Sequence, residues 1–153
     1  MMMENQNIIT PVLLTITRIQ PSPGDTPDAS EENIFSNNGT KINVTSIDHN
    51  ISKNNFESQH IFGFSKPIDK FTPFLGKAIV TGEVFNMMFD FHQPAGYGNL
   101  RNIYSIELNN AVLEKITILY PHTQEKRKHP EEMIYVTYES IIWHHHNAIY
   151  NDL

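Results

Sequence analysis

Three consecutive histidines, His144, His145 and His146, stand near the C-terminal end of the chain. They close a run from Ile134 to His146 whose β-branched and aromatic residues predict a strand. Neighbours in a strand point to opposite faces, so His144 and His146 share one face and His145 takes the other. Two imidazoles at i, i+2 can serve a transition metal, but a stable site needs a third or fourth ligand and outer partners that orient them. His92, His122, His129, Glu139 and Asp152 are the residues that could complete such a set. The plainer reading is a polar, partly exposed strand end. Two carboxylate pairs, Glu31-Glu32 and Glu131-Glu132, read as solvated loop residues. A glycosidase needs two carboxylates facing each other across a cleft, and nothing in the spacing demands that. There is no G-x-S-x-G elbow, no phosphate loop and no H-E-x-x-H. Gly96-Tyr97-Gly98 reads as a turn, and Trp143 as a core or interface residue. The residues alone therefore point to no catalytic group, no cofactor and no metal, with His144 and His146 as the remaining metal alternative.

Composition narrows the function classes further. The chain has 153 residues, a formal net charge of −6 and no cysteine. The length fits one domain, read as spanning residues 1–153. The acidic excess argues against a nucleic-acid partner, whose phosphates want a basic face. The Lys126-Arg127-Lys128 cluster is too small, and too near two Glu, to change that. The absence of cysteine excludes a disulfide scaffold, thiol catalysis and a Cys-ligated zinc. No apolar run approaches the roughly 18 residues that a membrane-spanning helix needs, so membrane insertion is not expected. Met1 to Asn5 offers no basic n-region followed by a long apolar stretch, so a standard secretory signal is not expected either.

The elements that must position these residues are mostly strands. Val12 to Ile19 is one. A long Pro-, Asp- and Asn-rich loop follows, at about residues 20–41, and Asn38-Gly39 suits a hairpin turn into a strand beginning near Ile42 and ending near Ile51. Lys53 to Ser58 is turn-like. His60 to Lys66 is a third strand, with Phe62 and Phe64 on one face. The one helix covers about residues 73–81. Thr72 suits an N-cap, Pro73 the first helical position and Gly82 the left-handed close. Phe74, Leu75, Ala78 and Ile79 form its apolar face. Further strands run from Glu83 to His92, from Leu100 to Leu108, from Ala111 to Tyr120 after a break at Asn109-Asn110, and from Ile134 to His146. Seven strands and one short helix predict a mainly β fold, a two-sheet antiparallel β-barrel or sandwich with one short α-helix.

Several of these stretches resemble the hemolysin-coregulated protein (Hcp) family of the type VI secretion system. The run Lys66 to Ile79, K-P-I-D-K-F-T-P-F-L-G-K-A-I, followed by Gly82-Glu83, is similar to the family's strand-ending Lys, short linker, Ser/Thr-Pro-Leu-Leu helix start and Gly-Glu close. Phe89-Asp90-Phe91 resembles its aromatic strand before a Gly-containing hairpin. Tyr104 to Ala111 resembles its Tyr-x-Ile-x-Leu-x-Asn-Ala run, carrying Tyr104, Leu108, Asn110 and Ala111. Tyr138, Ile141, Trp143 and His145 fall on its terminal Tyr-x-x-Ile-x-Trp-x-His. The pieces keep the family's order and cover more than half of the chain. The Pro-rich 20–41 region does not align, and Gln59-His60-Ile61 replaces the family's His-x-Pro.

The resemblance implies a β-barrel of two sheets beside one helix, and a structural rather than catalytic job. On it, Lys66, Thr72, Pro73, Leu75, Ala78, Gly82, Glu83 and the Tyr104 to His145 motif residues hold the fold. It implies hexameric rings that stack into the expelled tube, effectors carried in the lumen, and contacts with spike, sheath and baseplate proteins. It implies synthesis in the bacterial cytoplasm and export through the secretion machine, which would account for the missing signal. The alternative is a small metal-dependent enzyme or effector on the same barrel, using His144 and His146.

Overall fold

The computed structural model describes residues 11–19, 40–51, 61–120 and 129–146. The long loop up to residue 39, the Asn38-Gly39 turn, the 53–58 turn, Glu31-Glu32, His122, Lys126 to Lys128 and Asp152 lie outside the described residues. Among the described residues, eight strands and one helix follow in order: β1 Val12–Arg18, β2 Thr40–Val44, β3 Ser46–His49, β4 Ile61–Pro67, α1 Thr72–Thr81, β5 Val84–Pro94, β6 Leu100–Leu119, β7 Glu131–Thr137 and β8 Ser140–His145. The strands pair in the order β2-β1-β5-β6-β7-β4-β3, with β8 added on β6. Every pairing is antiparallel. Among the described residues the fold is mainly β with one short helix, as the strand pattern predicts.

Two long ribbons turn this single ladder into two facing layers. β6 pairs β8 along Tyr104 to Asn109 and β7 along Val112 to Leu119. β7 and β8 thus run one after the other beside the same edge of β6. The chain read as one strand from Ile134 to His146 is broken at Tyr138-Glu139, where Glu139 N–H still reaches Asn109 O at 3.0 Å. Conversely, the expected break at Asn109-Asn110 is a bulge inside a continuous β6. Asn86 of β5 faces both asparagines, and Asn110 takes φ 53°. Asn tolerates that left-handed conformation better than most residues. The strand expected from Ile42 to Ile51 is likewise split, at Thr45. There the Thr45 N–H donates to Ser65 O at 2.8 Å, and the Thr45 and Ser46 hydroxyls both bond the Ser65 hydroxyl. β2 can therefore serve one layer and β3 the other.

The layers enclose one apolar core. Leu14, Ile16, Ile42, Phe62, Phe64, Phe85, Met87, Phe89, Leu108, Ile134 and Val136 are buried in it. Phe89 packs on Phe62 and Phe64, with ring centroids 4.7 and 5.2 Å apart. Aromatic pairs at such tilted geometries add roughly 0.5–1.5 kcal/mol beyond their buried area. Helix α1 covers the core with Leu75 and Ala78, while Phe74 and Ile79 pack partly against it. Gly82 closes the helix at φ 69°, and Pro73 opens it. The N-cap differs from expectation. Phe71 holds that position and makes no side-chain cap bond, because Thr72 is already helical and its hydroxyl is used elsewhere.

The ladder is not closed. β2 and β3, at the two ends of the order, and β8 each have a second edge without a strand partner among the described residues. Aromatic rings, rather than a backbone ladder, fill the seam between β3 and β8. His49 of β3 lies 4.9 Å from Phe62, 6.0 Å from Tyr138 and 6.4 Å from Trp143, and His49 Nε2 meets the Tyr138 hydroxyl at 3.0 Å. Burial lowers the His49 pKa, partly offset by Asp48, and burial raises that of Tyr138.

Candidate functional site

The motif residues separate into a buried group and a surface group. In the buried group, Lys66 stands one residue before the end of β4 with its ammonium fully enclosed. It pairs with Glu132, with Asp69 at 2.7 Å and with Pro67 O at 2.9 Å. Thr72 donates its hydroxyl to the same Glu132 oxygen at 3.0 Å and accepts from Asp69 N–H at 3.2 Å. Glu132 was read from its neighbours as a solvated loop carboxylate. It is instead fully buried in β7, because register sets Lys66 directly opposite it. A buried charge is tolerated only when it is paired, and here the partner stands 66 residues away. Its nearness to the first turn of α1 adds the favourable end of the helix dipole.

The remaining motif residues serve packing and bends. Leu75, Ala78, Leu108 and Ala111 are buried in the core. Pro73 is exposed on the first helical turn. Glu83 pairs with Arg18 of β1. Tyr104 packs on Phe91 at 5.4 Å, and burial raises its pKa. Asn110 donates its side-chain amide to Glu139. Ile141 packs against the core, and Trp143 stands opposite Ile106 with 48% of its surface exposed. His145 is exposed.

The surface group gathers on the outer side of the layer β2-β1-β5-β6-β8. His144 and His146 do share a face, with rings parallel within 14° and centroids 6.2 Å apart. They do not converge on one point. His144 Nε2 meets Glu107 Oε2 at 3.1 Å, whereas His146 Nε2 meets the Ser105 hydroxyl at 2.7 Å. Ser105 donates onward to Asp90, which also accepts from Asn102 at 2.9 Å. A serine set between imidazole and carboxylate is ordered wrongly for nucleophilic catalysis, where the histidine must stand in the middle. Glu139 is held at Asn110, away from the pair, and His129 lies before β7. Among the described residues no group of three or more His, Asp or Glu could hold a metal ion. Asp90, Ser105 and Glu107 were missed from sequence. Only their alternation with buried Met87, Phe89, Ile106 and Leu108 could have placed them together on the outer face.

Among the described residues the molecule is a two-layer antiparallel β fold whose polar groups are spread over a sheet face rather than focused in a cleft. Comparison with known proteins places this fold in a family. The family model described as "Type VI secretion system effector, Hcp" matches residues 14–145. A crystal structure of an Hcp protein superposes with a TM-score of 0.68 at 20% identity, covering 92% of this chain and 94% of that one. The secreted protein Hcp3 from Pseudomonas aeruginosa gives 0.67 at 20% identity, covering 92% and 93%. The uncharacterized protein YhhZ of Escherichia coli strain K12 is 33% identical over 106 residues, which are 69% of this chain and 26% of that protein. The chain thus spans about a quarter of the length of that curated relative. The chain belongs to the Hcp family of the type VI secretion system.

Proposed function

We propose that this chain is a ring-forming inner-tube subunit. Six copies close head to tail, and the rings stack into the tube that the contractile machine expels. The observation that carries this reading is the extent of the family match. It runs from β1 to the last residue of β8, so both layers, the helix and the seam belong to the shared architecture. A head-to-tail contact that closes by rotation leaves no free end, which suits a ring. The uncovered edges of β3 and β8 would be protected in such a ring rather than left open to aggregation. The subunit would be made in the cytoplasm, leave with the tube, meet spike, sheath and baseplate proteins, and carry effectors in the lumen. The motif residues act in this reading by holding the fold.

Light scattering of the purified chain over a range of concentrations tests the ring. A mass of six subunits, with rings seen by negative-stain microscopy, is the expected result. A monomer or dimer that persists at the highest concentration would remove the ring while leaving the fold.

A further inference from the structure

β3 is a four-residue strand held unequally at its two ends. At its start, the Thr45 N–H donates to Ser65 O, and the Thr45 and Ser46 hydroxyls both bond the Ser65 hydroxyl. Its ladder with β4 stops at His49, opposite Phe62. The other edge of β3 has no strand partner among the described residues, and the His49 side chain ties that far end across the seam. The imidazole bonds the Tyr138 hydroxyl at 3.0 Å and lies among the side chains of Phe62, Tyr138 and Trp143. The strand is thus a lever, pinned at Thr45-Ser46 and clasped at His49.

The clasp is sensitive to charge. Among the described residues, the groups set against the imidazole are neutral: Phe62 from β4, Tyr138 from the link between β7 and β8, and Trp143 from β8. The titratable neighbours are three. Tyr138 is kept neutral, because burial raises its pKa. Asp48 is exposed and, by alternation along β3, faces away from His49. Its attraction only partly offsets the burial that disfavours a charged imidazole. His145 follows Trp143 on the same face of β8 and is exposed; once protonated it adds a like charge. A proton on His49 therefore sets a charge among aromatic groups with no carboxylate facing it.

We propose that the seam is a proton-released latch: protonation of His49 lets the far end of β3 swing away from Tyr138 and Trp143 while the two layers stay folded. The imidazole takes a proton more readily in the open seam, where its pKa returns toward 6.5, than in the closed one. The latch therefore holds at neutral pH and yields as pH falls below that value. A short strand paired on one edge is the kind of segment that opens locally, short of global unfolding. The biological sense rests on the tube reading, in which the edges of β3 and β8 are covered by a neighbour and release would work against ring closure.

Trp143 is the one tryptophan of the chain and stands 6.4 Å from His49, so its fluorescence reports on the seam. Acrylamide quenching from about pH 7.5 to 5, with far-UV circular dichroism on the same samples, tests the latch. Trp143 is 48% exposed in the closed seam, so quenching should rise about twofold on acidification while the dichroism stays unchanged. His49→Gln should remove the rise. His49→Phe, which keeps an aromatic group in the seam and takes no proton, should do the same and serves if Gln loosens the packing. His145→Gln, which removes the neighbouring imidazole, should leave the rise in place. Quenching that ignores pH, a rise that survives both His49 variants, or one lost equally in His145→Gln would overturn the proposal. So would a rise that coincides with loss of the dichroism, since that is global unfolding. Light scattering on the same samples separates the two readings. A monomer whose Trp143 responds through His49 keeps the latch without the ring, and a ring whose Trp143 ignores pH keeps the ring without the latch.

Discussion

Two carboxylate-base pairs in this molecule are built from similar parts and serve opposite ends. Glu132 and Lys66 stand opposite each other on β7 and β4, with no exposed side-chain surface. Glu107 and His144 stand on β6 and β8, with 26% and 40% of their side chains exposed. The first pair lies where β4, the first turn of α1 and β7 meet, and joins three elements through Thr72 and Asp69. The second lies on an open face, where water competes for both partners. Burial decides the difference. Without water, losing one partner strands a charge, whereas at the surface solvent replaces it.

The sharpest way to break this comparison is Glu132→Gln. It removes the carboxylate charge beside the enclosed Lys66 ammonium and leaves only a neutral amide oxygen there with Asp69 and Pro67 O, and should cost about 3 kcal/mol. For a chain of this size that lowers the thermal midpoint by roughly 10 °C, read by circular dichroism. A loss as small as that of a surface variant would show that the pair is wetter than its burial indicates. Replacing both partners, Lys66→Met with Glu132→Leu, removes the charges together. It should recover most of the loss, because the desolvation cost disappears with the attraction.

His49 lies between the two cases. Burial favours its neutral form, so its folded pKa is below 6.5. The sign follows directly: the unfolded chain takes up the proton more readily. The contribution is present above the unfolded value and is lost as pH falls through the folded one. Acidification from pH 7.5 to 5 should therefore lower the thermal midpoint, and His49→Gln, which keeps a hydrogen-bonding group toward Tyr138, should flatten that slope. An unchanged slope would clear His49 of the effect. The smallest change is expected at the surface pair. His144→Gln and Glu107→Gln should each shift stability by no more than about 0.5 kcal/mol in urea titrations.

What could be read from the chain follows from how local its causes are. Pro73, Gly82 and the apolar spacing of Leu75 and Ala78 act within α1, and the helix lies where they put it. Phe62 and Phe64 share one face of β4 and are buried in the core as that spacing predicts, whereas the burial of Ser65 and Lys66 comes from partners that the spacing does not reveal. Glu132 was misplaced because its environment is made by Lys66, far off in sequence and opposite only after β4 and β7 pair. Capping is the local use of a threonine and the one that sequence suggests for Thr72, while the hydroxyl donates to Glu132, again a distant residue. The surface cluster failed in the same manner. His144 and His146 were visible as a pair, but Glu107, Ser105 and Asp90 join them only through the pairing of three strands.

The bulges of β6 work like shifts of a reading frame. Inward-facing residues are even-numbered at Tyr104, Ile106 and Leu108, odd-numbered at Ala111 and Leu113, and even-numbered again at Ile116. The extra residue at Asn109-Asn110 changes the phase once, and Glu114, skipped between Leu113 and Lys115 in the pairing with β7, changes it back. Deleting Asn110 would remove the bulge and leave the phase intact, because Leu108, Ala111 and Leu113 would then face inward by plain alternation with Asn109 alone opposite Asn86. Deleting Val112, which is not a spare residue, would instead turn Leu113 toward water and Glu114 toward the core. Loss of the bulge residue should accordingly be the milder lesion, although the two positions are only two residues apart.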